Sequence, residues 1–178
     1  MDNQNDLGEF VRLMQEHKRI VYKIGISYCS NREDREDLAQ EIIYQLWRSG
    51  HTFRAGQKFS TWMYRVALNV AISFYRKRKS AQSVVAYQEH LADLADQEEN
   101  DDENELEKAR RKLQQCIRKL QQCIRELKEL DRALIILFLE SKSYREIAEI
   151  VGITETNVAT RISRIKEKLK QKLQPINN

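Results

Sequence analysis

Apolar side chains recur at three- and four-residue steps along most of this chain. Little interrupts them, because 178 residues include one proline and five glycines. That period belongs to helices that bury one face. Phe10, Leu13, Met14, His17, Val21, Ile24 and Tyr28 form a first series. The charged stretch Asn31 to Asp37 breaks it, Leu38, Ile42 and Leu46 restart it, and Ser49-Gly50 ends it. A third helix is expected from about Thr61 to Lys79. These helices are long enough to cover one another, so residues 1–79 are expected to form a small helical domain.

The net charge of +4 conceals three blocks. Residues 1–79 carry 14 basic and 9 acidic side chains, residues 80–107 carry 10 acidic and no basic ones, and residues 108–178 carry 17 basic and 8 acidic. Two cationic bodies flanking an anionic segment suit contact with a polyanion at both ends and repulsion in the middle. Residues 80–105, without sustained periodicity, are expected to be an acidic linker, able to reach about 90 Å when extended. A second helical domain is expected over 106–178. The overall expectation is all-α, two small helical domains on a flexible tether.

No run of apolar residues is long enough to cross a membrane, and the acidic start Met1 to Asp6 lacks the regions of a secretion signal. A cytoplasmic location is expected. Cys29, Cys116 and Cys123 are an odd number with no CxxC pair, which points to reduced thiols. Neither a metal site nor a cofactor is expected.

Leu106, Ala109, Leu113, Cys116, Leu120, Cys123 and Leu127 open the second domain at helical steps. Within this series, Lys112 to Arg118 and Lys119 to Arg125 are identical heptads. Seven residues advance a helix by two turns less about 20° and lengthen it by about 10 Å, so the repeat extends the helix without changing its buried face.

Asp131 is placed to cap a short apolar helix, Ala133 to Leu139. Ser143-Tyr144-Arg145-Glu146 is a capping box that opens another, and Gly152 stops it. Thr154 caps the next, with Ile153 and Val158 as a hydrophobic staple. A helix, a short glycine-containing turn and a second helix spell a helix-turn-helix. Val158, Ile162, Ile165 and Leu169 form the inward stripe of its second helix. Thr156, Asn157, Thr160, Ser163 and Arg164 face outward, where short polar side chains can approach base edges. Arg161, Arg164, Lys166, Lys168, Lys170 and Lys172 suit phosphates.

Here the chain resembles bacterial sigma factors of the extracytoplasmic-function type. Ser143 to Thr154 is similar to the family's region-four helix-turn-helix, which reads the minus-thirty-five element. Asp37-Leu38-Ala39-Gln40-Glu41 resembles the region-two helix that docks on the polymerase clamp. Phe59 to Asn69 resembles the segment that melts the minus-ten element. The three motifs occur in family order around an acidic linker.

The resemblance implies a transcription initiation factor that binds core RNA polymerase, directs it to promoter DNA and opens the minus-ten region. It assigns polymerase docking to Asp37, Gln40, Glu41 and Tyr44. Minus-ten contacts fall to Phe59, Ser60, Thr61, Trp62, Arg65, Asn69, Arg76, Lys77 and Arg78, and minus-thirty-five contacts to Thr156, Asn157, Thr160, Arg161, Ser163, Arg164 and Lys168. It also allows an anti-sigma factor or an additional recruiting factor as partner. Ala159 stands where the family commonly has Lys or Arg, and Ser73 where an acidic residue is common.

The residues support this reading directly. Asp37, Gln40, Glu41 and Tyr44 recur at i, i+3, i+4 and i+7, a polar stripe beside the apolar one. Phe59, Trp62, Tyr64 and Tyr75 interleave with Arg65, Arg76, Lys77, Arg78 and Lys79, combining stacking rings with phosphate-neutralising charge, although some of these rings, Trp62 among them, are also candidates for the core. The rival is a helix-turn-helix regulator acting without core polymerase, which leaves the Asp37 to Tyr44 stripe and the linker without a role. An enzyme is disfavoured: His17, His51 and His90 are scattered, and no phosphate loop, nucleophile triad or carboxylate pair stands out.

Overall fold

The computed structural model describes residues 4–54, 56–82 and 105–173. Eight α-helices account for most of them: α1 (Gln4–Glu16), α2 (Arg19–Tyr28), α3 (Arg32–Ser49), α4 (Phe59–Gln82), α5 (Glu105–Arg125), α6 (Glu129–Leu139), α7 (Tyr144–Val151) and α8 (Glu155–Leu173). A 3-10 turn, Gly50–Thr52, follows α3. No strand occurs among the described residues. The expected linker falls almost wholly at 83–104, outside them.

Local chemistry sets several boundaries differently from the expectation. The first apolar series is two helices, because the chain breaks at His17-Lys18 while the period runs on across the break. The charged stretch before Leu38 belongs to α3. Asn31 caps that helix by accepting from the Asp34 N–H at 2.7 Å, and Glu33 and Asp34 favour the positive end of its dipole. Asp131 does not cap α6, which begins two residues earlier after Lys128 with no side-chain cap. Gly152 is the C-cap of α7 at φ 77°, a left-handed backbone that glycine reaches without strain.

In the first half, α2, α3 and α4 pack around Ile24, Leu38, Ile42, Leu46, Met63, Ala67 and Ala71, all essentially sealed from water. One end of this core is aromatic. Phe10 of α1 meets Phe59 at 5.8 Å and Trp62 at 5.9 Å, both edge-on, and Phe53 meets Phe59 at 5.2 Å. Such pairs contribute about 0.5–1.5 kcal/mol beyond burial.

In the second half, α5 to α8 close on Ile124, Leu134, Leu137, Ile147, Val158, Ile162 and Ile165. The two halves touch. α2 packs on α5 and α6, α4 packs on α6 and α7, and one apolar cluster runs through both.

Candidate functional site

The first candidate face lies on α3. Its buried stripe, Leu38, Ile42 and Leu46, leaves Asp37, Gln40, Glu41 and Tyr44 exposed together on the opposite side. Glu41 accepts from Gln45 Nε2 at 3.0 Å. Sequence reasoning missed two neighbours. Ile43 is 49% and Trp47 53% exposed, so the stripe carries apolar surface as well as charge. Trp47, three residues from Tyr44 and four from Ile43, was the available signal. Large exposed apolar side chains clustered on one helix face mark a protein-interaction surface.

The second face lies on α4 and the turn before it. Phe59, Thr61 and Trp62 are buried, as is Tyr64. The expectation that Phe59, Trp62 and Tyr64 present stacking faces is therefore not met in this conformation. Phe59 is gripped by Phe10, Phe53 and a stacked His17, and Trp62 Nε1 donates to Thr52 Oγ1 at 3.1 Å, fastening the 3-10 turn to α4.

Ser60 is half-buried, while Asn69, Arg76 and Lys77 are exposed. Arg78 pairs with Asp34 and lies 5.5 Å from the Phe74 ring centroid. Arg65 is half-buried and donates to the Glu149 carbonyl of α7 at 2.9 Å. Burial pushes the Tyr28 and Tyr64 phenols well above their ordinary pKa.

The third face is the helix-turn-helix, α7 and α8. The capping box is formed in full: Glu146 N–H donates to Ser143 Oγ at 3.2 Å, and Ser143 N–H donates to Glu146 Oε2 at 3.0 Å. That backbone donor foremost, with Lys58 beside it, lowers the Glu146 carboxyl to about 2. Thr154 Oγ1 accepts from Asn157 N–H at 3.3 Å, as expected of the next cap.

Val158, Ile162, Ile165 and Leu169 are buried, so the inward stripe is as read. Thr156, Asn157, Thr160, Ser163, Arg164 and Lys168 are exposed. Arg161 is half-buried, donating to Asn157 Oδ1 at 3.1 Å and to Asp131 Oδ1 at 2.8 Å. A shallow hollow of about 250 Å³, lined by Asp131, Asn157, Thr160, Arg161, Arg164 and Lys168 among others, runs along this side.

Among the described residues no group of three or more His, Cys, Asp or Glu could hold a metal ion. All three cysteines are free, Cys116 exposed and Cys29 and Cys123 buried. No described helix is long and apolar enough to cross a membrane.

The structure thus sets an exposed face carrying charge and apolar surface on α3 beside a cationic α4, with a helix-turn-helix in the other half. Residues 13–81 match the family profile for Sigma-70 region 2, and residues 117–169 match that for Sigma-70 region 4. The ECF RNA polymerase sigma-E factor of Haemophilus influenzae is 28% identical over 176 residues, covering 97% of this chain and 92% of that protein. The ECF RNA polymerase sigma factor SigW of Bacillus subtilis is 28% identical over 183 residues, covering 97% and 93%.

The fold is similar to that of the sigma factor RpoE of Bartonella quintana, solved in complex with the anti-sigma factor NepR. The TM-score is 0.66 at 20% identity, covering 99% of this chain and 100% of that one. CnrH, solved with the cytosolic domain of CnrY, gives 0.64 at 21% identity, covering 99% and 92%. The chain belongs to the extracytoplasmic-function sigma factors of RNA polymerase, transcription initiation factors that work with the core enzyme and direct it to promoters.

Proposed function

We propose that α3 is the surface that holds core polymerase, through Asp37, Gln40, Glu41 and Tyr44 with Ile43 and Trp47 beside them. The carrying observation is that these six side chains are exposed together on a helix whose other face is fully buried. The charged and polar side chains of such a patch select the partner, and the apolar ones supply burial.

Promoter contacts follow from the remaining faces. Asn69, Arg76 and Lys77 are offered to the minus-ten strand, with Ser60, Arg65 and Arg78 joining them. The burial of Phe59, Thr61 and Trp62 favours a role in shaping the Phe53–Ser60 turn instead of touching bases. Thr156, Asn157, Thr160, Ser163 and Arg164 are offered to the minus-thirty-five duplex with Lys168 on phosphate, and Arg161 contributes after giving up part of its reach to Asp131. The work is binding, not bond chemistry.

Residues 1–79 and 106–178 act as two units on the 80–105 tether. An anti-sigma factor or a recruiting factor is a further proposed partner, on the ground of the RpoE–NepR likeness and of Ala159, which supplies no charge to duplex.

The deciding experiment replaces Glu41 by Arg on an exposed helix position. Co-purification with core polymerase is expected to be lost while helical circular dichroism is unchanged. Retained co-purification would remove the α3 assignment.

A further inference from the structure

The polar face of α8 is set in part by a residue of another helix. Asp131 of α6, its side chain 24% exposed, accepts from Arg161 Nη1 at 2.8 Å. The same guanidinium donates through Nε to Asn157 Oδ1 at 3.1 Å, one turn back along α8. Asp131, Arg161 and Asn157 thus form a relay from the helix behind to the surface offered to duplex. All three line the hollow that runs along this side of α8.

The relay carries a polarity. A guanidinium only donates and a carboxylate only accepts, so Asp131 fixes where Arg161 points and Arg161 fixes which end of the Asn157 amide it meets. Oδ1 must face the guanidinium. Nδ2, on the other side of the planar amide, is then turned away from it, and the Asn157 side chain is exposed. An unrestrained asparagine presents an acceptor and a donor side by side and pairs adenine at N6 and N7. Held by its oxygen, Asn157 leads with its N–H donors instead. Those suit a base edge that carries acceptors. Guanine offers two in the major groove, N7 and O6, where adenine sets a donor beside its N7.

Asp131 keeps the relay in place against DNA. Without that carboxylate, phosphate is the strongest attraction on a duplex for the Arg161 cation, and a guanidinium drawn there releases the Asn157 oxygen to meet a base donor. The charge-assisted contact at 2.8 Å opposes that swing. Its effect is bounded, because a partly exposed pair of this kind supplies a bias of about two- to fivefold.

We propose that Asp131, outside the helix-turn-helix, is a positioning residue for upstream promoter specificity: through Arg161 it holds Asn157 as a hydrogen-bond donor, so that the base facing Asn157 is selected as guanine over adenine. This rests on the reading of α8 as the minus-thirty-five contact.

The test uses the full chain with core polymerase, selecting from a duplex library randomised across the minus-thirty-five element, with the bound fraction sequenced. Asn157→Ala identifies the position that Asn157 meets, as the one whose base preference collapses. The wild type is expected to favour guanine there. Asp131→Asn, of the same shape without the charge, is expected to raise adenine against guanine at that position alone, by about two- to fivefold. Asp131→Glu, which restores the charge, is expected to bring guanine back.

A loss spread evenly over all positions in Asp131→Asn, as from a weakened fold, overturns the proposal, and so does adenine preferred by the wild type. A response to Asn157→Ala with none to Asp131→Asn overturns it as well and leaves the α8 reading intact. No position responding to Asn157→Ala removes Asn157 from the α8 contacts, and the proposal with it.

Discussion

Arg161 of α8 is tied to Asp131 of α6, Nη1 to Oδ1 at 2.8 Å, across the helix-turn-helix core. A side chain expected on phosphate is thereby half committed to holding two helices together. Its other contact, Nε to Asn157 Oδ1 at 3.1 Å, lies along its own helix.

Arg161→Ala and Arg164→Ala are therefore expected to differ. Arg164 is exposed, and among the described residues no ion pair holds it. Its loss should weaken duplex binding and lower the salt slope by up to about 0.9 per phosphate contact. Arg161→Ala should also lower stability by about 0.5–1 kcal/mol, because Asp131 loses its cation. Urea titrations beside binding isotherms at several salt concentrations separate the two. Equal stability of both variants would show that the Asp131 pair contributes nothing.

The capping box makes the start of α7 sensitive to acid. Glu146 titrates at about 2 in the folded chain against an ordinary 4.5, because Ser143 N–H and then Lys58 favour its charged form. A depressed carboxyl adds stability that is complete above the ordinary value and is lost as pH falls from about 4.5 to about 2. Ser143→Ala is expected to cost about 1 kcal/mol at neutral pH. The gap between wild type and this variant should narrow across that acid window, as read by thermal melts. A gap constant down to pH 2 would mean that Glu146 does not take part.

The duplicated heptad has two fates. Cys123 and Ile124 of the second copy are buried, while Leu113, Cys116 and Ile117 of the first are exposed, Leu113 at 61%. Removing either copy leaves the same sequence, so the surviving heptad takes the buried seat. Deletion of Lys119–Arg125 is expected to move the melting temperature by less than about 5 °C. Loss of the cooperative transition would show that both copies are needed.

These residues also show what the sequence could disclose. The Ser143 box, the Gly152 stop and the Val158 to Leu169 stripe depend on neighbours within a turn or two, and all are present as read. The break between α1 and α2 was hidden because Lys18 keeps a helical backbone and the apolar period runs through it. Phe59 and Trp62 read equally well as base-stacking or as core, and only the arrival of Phe10 and Phe53 decides for core. Arg132 was invisible as a feature. Its place between Tyr28 and Tyr75 depends on α2 and α4 of the other half of the chain, and a lone arginine on an apolar helix carries no local mark of it.

The most direct measurement is run-off transcription on a fragmented bacterial genomic library with purified core polymerase, with and without this chain. The expected result is a defined set of start sites that appear only when the chain is present and share upstream elements at minus ten and minus thirty-five. Stoichiometric excess that yields no new start site, and no association with core polymerase, would contradict it.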